Sequence, residues 1–197
     1  MNLFYKVPNK ELLNCRVELF TERGLPALIK NGFSESPFSG AWFGQPDHGD
    51  RIYELCRISE GSRLDMVTVA ILGGERWIQP KLNIFRLHPI VECLEQLQGV
   101  DGIQFGMPPN SRTAMRLAPP PILIYRHYGW YRSPPYKLGS FYTRSGLRRR
   151  LGQLGNILEN DLENIDTFVK MWMAKHAPLL TDWEGHAIEP IEPGSID

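Results

Sequence analysis

Three runs rich in β-branched and aromatic residues, separated by very short glycine-containing connections, constrain the fold of this chain more than any other feature. The runs cover residues 52–58, 66–72 and 77–87, with Gly61-Ser62 and Gly73-Gly74 between them. Such runs are typical of β-strands. Because a parallel crossover needs a dozen or more residues, these connections predict antiparallel neighbours. Pro80 inside the third run predicts a sheet edge or a bulge there, since proline cannot donate to the ladder.

Apolar residues at helical spacing lie on both sides of these runs. The predicted helices cover residues 9–24, 26–32, 145–154 and 157–176. Gly152 and Gly155 interrupt the pattern and predict the separation of the last two helices. One face of the last helix is expected to be buried, and it consists of Leu162, Ile165, Val169 and Trp172.

The region between the strands and the last helices is less regular. Pro89 and Gly99 predict the beginning and the end of a short helix. Residues 103–105 and 122–125 predict two further short strands. The five prolines within residues 107–121 predict an irregular connection between those strands.

Together these patterns predict one α+β domain over residues 1–178. We expect a mostly antiparallel sheet of about five strands with helices packed on it, two of them C-terminal. A chain of 197 residues suits a single domain. Residues 179–197 show no periodicity and carry five acids and no base from Asp182 onward. We expect them to form an acidic tail that is draped over the surface or flexible.

Composition and motifs exclude several classes of protein. No apolar stretch approaches the roughly 20 residues of a membrane-spanning helix, and the first residues lack the apolar core of a signal peptide. We therefore expect a cytoplasmic protein with no membrane partner. Cys15, Cys56 and Cys93 are odd in number and widely spaced, which favours free thiols over a disulfide framework.

The sequence contains no recognisable catalytic or metal-binding motif. It has no HExxH, CxxC, GxSxG, GxGxxG or phosphate-binding GK[ST] pattern. We therefore expect no cofactor, no metal and no catalytic residue, which favours a protein that is not an enzyme.

The segment from residue 125 to residue 150 has the most unusual composition in the chain. It contains seven basic residues, eight aromatic or histidine residues and no acid. Arginines and exposed aromatics are typical of protein interfaces, and basic residues with aromatics can also bind single-stranded nucleic acid. A third interpretation is that half of the rings belong to the core. The net charge of zero weighs against nucleic acid, because such domains are usually basic.

Within this segment, four residues are the candidate partner-binding site. They are Trp130, Tyr131, Arg132 and Tyr136. Gly129, Ser133 and the two following prolines interrupt any helix or strand, so these side chains are expected to project from a loop. Binding residues concentrate on loops held by a rigid scaffold.

Four short motifs within the first 75 residues resemble the first half of an ADP-ribosyltransferase. They are Phe4-Tyr5-Lys6-Val7, Leu28-Ile29-Lys30-Asn31-Gly32-Phe33, Ser39-Gly40-Ala41-Trp42-Phe43-Gly44 and the run at 67–72. The resemblance implies an NAD site near Tyr5 and Trp42. The chain departs from the family at Lys6, where arginine or histidine is usual. It also has no glutamate between Glu95 and Glu159, where the late catalytic acid is expected.

The sequence as a whole favours a cytoplasmic protein that binds another protein through an aromatic- and arginine-rich loop surface. A small chain without a cofactor motif and with charge polarised along its length has the character of an inhibitor. Bacterial immunity proteins, which block a cognate toxin, are of this kind, so the expected partner is a protein such as a toxin. An NAD-using transferase and a nucleic-acid-binding protein remain the alternatives.

Overall fold

The strands predicted between residues 52 and 87 form the middle of a mixed sheet. The computed structural model describes residues 5–47, 49–117 and 136–188. The strands are β1 (Tyr5–Lys6), β2 (Ser34–Glu35), β3 (Phe43–Asp47), β4 (Asp50–Ser59), β5 (Arg63–Ile71), β6 (Gln79–Leu87), β7 (Met115–Arg116), β8 (Phe141–Tyr142) and β9 (Leu179–Thr181). The α-helices are α1 (Asn9–Leu19), α2 (Leu25–Lys30), α3 (Ile103–Gly106), α4 (Arg144–Glu163) and α5 (Ile165–Met173).

The prediction of an α+β fold with a mostly antiparallel sheet is confirmed. Strands β4, β5 and β6 pair antiparallel over most of their length, as their short connections require. The main path of the sheet is β2-β4-β5-β6-β7, with β3 also pairing with β4. Strand β9 runs parallel to β6. A separate antiparallel pair, β1 with β8, joins the beginning of the chain to the segment before α4.

Side chains alternate between the two faces of the central strands, because successive residues of a strand point in opposite directions. One face, the helix side, carries the cross-strand row Leu55, Val67 and Leu82, which is buried against the helices. The other face, the far side, carries the row Glu54, Thr68 and Lys81. This second row lines a cavity.

The apolar face predicted for the last helix is buried, as expected. Leu162, Ile165 and Trp172 have no exposed surface, and Val169 is 5% exposed. The break between the last two helices lies at Asn164 instead of at Gly155. Gly155 continues α4 because it provides room for close packing: a Cβ atom there would lie 2.8 Å from Cδ of Arg23.

Gly24 does not end the first helix, contrary to the prediction. A π-helical turn at Phe20–Gly24 carries the chain directly from α1 into α2. Pro26 lies in the first turn of α2, a position at which proline is common. The glycine and the proline therefore mark a change of helix without interrupting it.

Two other predictions for the irregular region are wrong. Residues 103–105 form part of helix α3 instead of a strand, because the edge of β6 that they could join is occupied by β7 and β9. The helix predicted between Pro89 and Gly99 is reduced to a 3-10 turn at Leu94–Leu97. The strand predicted at 122–125 lies outside the described residues.

Residues 179–188, expected to begin an acidic tail, continue the fold at their start: Leu179–Thr181 form β9, and Ala187 pairs with Thr181 in an isolated bridge. Thr181 in β9 is fully buried, and its carbonyl accepts a hydrogen bond from the backbone of His88 at 2.8 Å. The indole of Trp183 donates to the carbonyl of Pro89 at 2.8 Å. Strand β7 pairs with Lys81 and Leu82 of β6, and β9 pairs with residues 85–87 farther along β6. Residues 189–197 lie outside the described residues.

In the part of the chain that the structure describes, no helix has both the length and the apolar character needed to span a membrane.

Candidate functional site

Of the four residues predicted to contact a partner, the structure describes only Tyr136. Trp130, Tyr131 and Arg132 lie outside the described residues. Tyr136 is 1% exposed, and its hydroxyl donates to Oδ2 of Asp161 in α4 at 2.7 Å. The prediction of a surface position for this ring is therefore wrong. Its aromatic ring belongs to the core on the helix side of the sheet.

The hydrogen bond of Tyr136 provides a direct test of this buried role. Burial raises the pKa of the Tyr136 phenol, and the neighbouring Asp161 raises it further, so the hydroxyl keeps its proton and donates. In a Tyr136→Phe variant the buried carboxylate loses its close donor. We expect a loss of about 1–3 kcal/mol in the free energy of unfolding, measured in urea. The control Tyr5→Phe, at a half-buried ring, should stay within about 0.5 kcal/mol of wild type.

The described part of the basic segment forms an exposed surface around the beginning of α4. We define the basic surface as Lys6, Lys137, Phe141, Arg144, Arg148 and Arg149. All six are exposed, and the ring of Phe141 is 66% exposed. Pairing of β1 with β8 places Lys6 opposite Phe141. A hydrogen bond of 2.9 Å from Arg150 to the carbonyl of Lys137 connects α4 to the segment that precedes it.

The helix dipole does not account for Arg144 in the first turn of α4. Thr143 begins α4 by accepting a hydrogen bond from the backbone of Gly146 at 2.9 Å. The first turn contains Arg144 and no acid. The beginning of a helix carries a positive partial charge, so cations there are unfavourable. Within the described residues, the guanidinium groups of Arg144, Arg148 and Arg149 form no ion pair. Their charge is therefore available to a partner.

A cavity of about 380 Å³ lies on the far side of the sheet. Its apolar walls include Phe38, Trp42, Met66, Phe85, Phe105 and Met107. Its base is the polar row Glu54, Thr68 and Lys81, which crosses β4, β5 and β6. A concave apolar site with a few polar groups is the usual form of a small-ligand site.

Glu54 is hydrogen-bonded to the backbone of Trp42. Its Oε2 accepts a hydrogen bond from the backbone N–H of Trp42 at 3.0 Å, and its own backbone N–H donates to the carbonyl of Trp42 at 2.8 Å. Burial raises the pKa of Glu54, and the hydrogen bond from Trp42 partly opposes this effect. The first of these bonds holds the carboxylate against the backbone of Trp42.

The aromatic wall is held by close packing of the backbone. The rings of Phe38 and Phe105 lie 5.1 Å apart, and those of Phe85 and Phe105 lie 4.8 Å apart. Gly102 allows this arrangement, since a Cβ atom there would lie 2.3 Å from Cγ of Phe38. Trp42 is 36% exposed and contributes the part of the wall that solvent can reach. The cavity therefore combines a packed aromatic interior with an accessible indole.

The residues that resemble an ADP-ribosyltransferase do not all line this cavity. Trp42 lines it, whereas Tyr5 and Phe43 pack against the core on the helix side. Lys6 lies on the basic surface. The described residues include no cluster of three or more histidine, cysteine or acidic side chains suited to a metal ion.

Sequence analysis singled out Trp42 but missed the polar row. Glu54, Thr68 and Lys81 are far apart in the sequence, and strand register alone brings them together. The available signal was the presence of polar residues at alternate positions of strongly apolar strands. This pattern predicts that one face of the sheet is not covered by the apolar core.

No protein family, no curated protein and no solved structure matches this chain. The basic surface and the cavity are the features of the described residues that bear on its function.

Proposed function

We propose that this chain is a cytoplasmic protein-binding protein with the character of an immunity protein, and that its basic surface binds an acidic face of the partner. The observation that carries this proposal is the exposed Phe141 beside three arginines without ion-pair partners among the described residues. Arginines and large aromatics dominate the binding energy of interfaces.

Charge complementarity determines the chemistry of the proposed partner. The described residues 136–150 contain no acid, so the local field is positive although the whole chain is neutral. A local field of one sign accelerates the encounter with a partner of opposite sign and excludes partners of like sign. The partner expected here is a protein with an acidic binding face, as a toxin inhibited by this chain would need.

Reversing the charge of two arginines tests this proposal. In an Arg144→Glu/Arg148→Glu variant we expect partner affinity to fall by about 30-fold or more for each arginine at a hot spot. The fold should persist, because acids near the beginning of a helix favour its dipole. The matched control is Lys170→Glu/Lys175→Glu, which makes the same change in net charge at exposed sites in and after α5. This control should retain the partner.

The measurement is quantitative capture from the native host, with wild type and both variants as bait. We expect one protein to be lost by the arginine variant alone, and co-expression of wild type to relieve growth inhibition by that protein. Equal retention by all three baits would overturn the assignment of the basic surface. Capture that disappears after nuclease treatment would instead assign the surface to nucleic acid.

A further inference from the structure

The cavity on the far side of the sheet points to a second, separate binding site. We propose that it binds a small aromatic zwitterion of the free aromatic amino acid class. In this arrangement Glu54 contacts the ammonium group, Lys81 contacts the carboxylate and the ring lies against the aromatic wall. This site is distinct from the basic surface, because the residues that line the cavity include none of the six that define that surface.

The size and walls of the cavity favour a ring. Its volume of about 380 Å³ falls within the range of about 300–1,000 Å³ that small-molecule sites occupy. Phe38, Phe85 and Phe105 form a continuous aromatic wall with centroid separations near 5 Å. Aromatic pairs prefer such separations in offset or edge-to-face geometry. The three phenylalanines are at most 7% exposed, so a ligand ring would contact mainly the indole of Trp42, which is 36% exposed.

The polar row favours a ligand that carries both charges. Glu54 pairs with Thr68 across β4 and β5, and Thr68 pairs with Lys81 across β5 and β6. Adjacent strands lie about 4.8 Å apart, so the backbones at Glu54 and Lys81 are separated by about 10 Å. Both residues line the cavity, one on each side of Thr68 along the row. An α-amino acid carries an ammonium and a carboxylate, which are complementary in charge to Glu54 and Lys81.

The side-chain hydrogen bonds of the polar row also favour a ligand that carries both charges. Among the described residues, the side chains of Thr68 and Lys81 have no hydrogen-bond or ion-pair partner, and Glu54 uses only Oε2. Elsewhere in the fold, the buried carboxylates of Asp65 and Asp161 both have close donors. All three residues are partly exposed, so a ligand in the cavity can reach them. A zwitterion would supply an ammonium donor to Glu54 and a carboxylate acceptor to Lys81.

Calorimetric titration of the full chain with four matched probes tests the proposal. L-Phenylalanine carries all three groups. Phenethylamine lacks the carboxylate, 3-phenylpropionate lacks the ammonium and L-alanine lacks the ring. We expect L-phenylalanine to bind, and each of the other three to bind at least about tenfold more weakly. No heat of binding with L-phenylalanine at millimolar concentration would overturn the proposal, as would equal affinity for all four probes.

Two charge-neutralising variants then assign each end of the ligand. Lys81→Met should lower the affinity for L-phenylalanine by at least about tenfold. It should leave the affinity for phenethylamine unchanged, because phenethylamine has no carboxylate for Lys81 to contact. Glu54→Gln should weaken the binding of L-phenylalanine and of phenethylamine, and it should leave the binding of 3-phenylpropionate unchanged. The control Lys170→Met removes an exposed charge in α5 and should bind like wild type. Circular dichroism and thermal unfolding establish that each variant is folded.

Two further comparisons complete the test. Loss of L-phenylalanine binding in Lys170→Met, or no change in Lys81→Met, would overturn the proposal. If Glu54→Gln does not fold, the Lys81→Met result decides alone, because Lys81 is partly exposed and has no described partner to lose. The Arg144→Glu/Arg148→Glu variant should still bind L-phenylalanine. Failure of the basic surface to bind a protein is therefore distinguishable from failure of this site.

Discussion

Replacing Trp172 by alanine should lower the free energy of unfolding by about 3–5 kcal/mol, the largest effect expected in α5. Trp172 is fully buried, and its indole Nε1–H donates to the carbonyl of Thr113 at 2.9 Å. The substitution removes the ring from the core between α5 and the sheet and leaves that carbonyl without its donor. Since domains are stable by only about 5–15 kcal/mol, the variant should unfold at a much lower denaturant concentration.

The neighbouring residue provides the matched control. Met173 lies in the same helix but is 42% exposed, so Met173→Ala should change stability by no more than about 0.5 kcal/mol. A Trp172→Phe variant should lose less stability than Trp172→Ala and more than Met173→Ala. It keeps an aromatic ring in the core but loses the hydrogen bond to Thr113. Both are measured by urea unfolding. Similar midpoints for Trp172→Ala and Met173→Ala would contradict the orientation of α5.

The second large effect is expected at Asp65, the buried centre of an ion-pair network. Its side chain has no exposed surface. It accepts hydrogen bonds from Nε of Arg57 and Nε of Arg63, both at 2.8 Å. Ser59 donates to the same carboxylate at 3.3 Å. Removing one member of a buried pair costs about 3–5 kcal/mol, because the remaining charge is left without its partner. We expect a loss of this size for Asp65→Ala.

Arg57 explains why this network matters for the whole fold. It contacts Asp65 on β5, the carbonyl of Asn31 after α2 and the carboxylate of Asp166 on α5. Burial opposes its charge, but the hydrogen bonds to Asp166 and Asp65 outweigh this effect, so the pKa of Arg57 is raised. Its guanidinium also lies 4.6 Å from the centre of the Phe33 ring. The arginine therefore connects the sheet to two helices.

The two carboxylates bound to Arg57 provide an internal comparison. The side chain of Asp166 is 64% exposed, and that of Asp65 has no exposed surface. Exposed ion pairs contribute about 0–1 kcal/mol, because water screens the charges and side-chain entropy is lost. Asp166→Ala should therefore cost less than about 1 kcal/mol in the same urea experiment. If it costs as much as Asp65→Ala, burial is not the source of the effect.

The strands and the last helix were predictable because their pattern is local. Apolar alternation and short glycine connections determined β4, β5 and β6 as antiparallel neighbours. Helical spacing likewise identified the buried face of α5, including Trp172. In both cases the residues that form the pattern lie within a few positions of one another, so the local spacing carries the information.

Tyr136 shows where local pattern is insufficient. It follows two prolines in a turn-rich segment, where an aromatic ring can lie on the surface or in the core. Its burial depends on Asp161, which lies 25 residues later on α4 and accepts its hydrogen bond. A similar limit applies to residues 179–188, where an available edge of β6 decides the outcome.

By itself, the sequence determined the class of fold, the direction of the central strands and the buried face of α5, because these follow from the spacing of neighbouring residues. Only the tertiary structure decided which polar residues meet. Glu54, Thr68 and Lys81 become neighbours through the register of three strands, and Arg57 joins Asp65 to Asp166 through the packing of α5 on the sheet. Such contacts join residues that are distant in sequence. They depend on long-range packing, which leaves no local periodic signal.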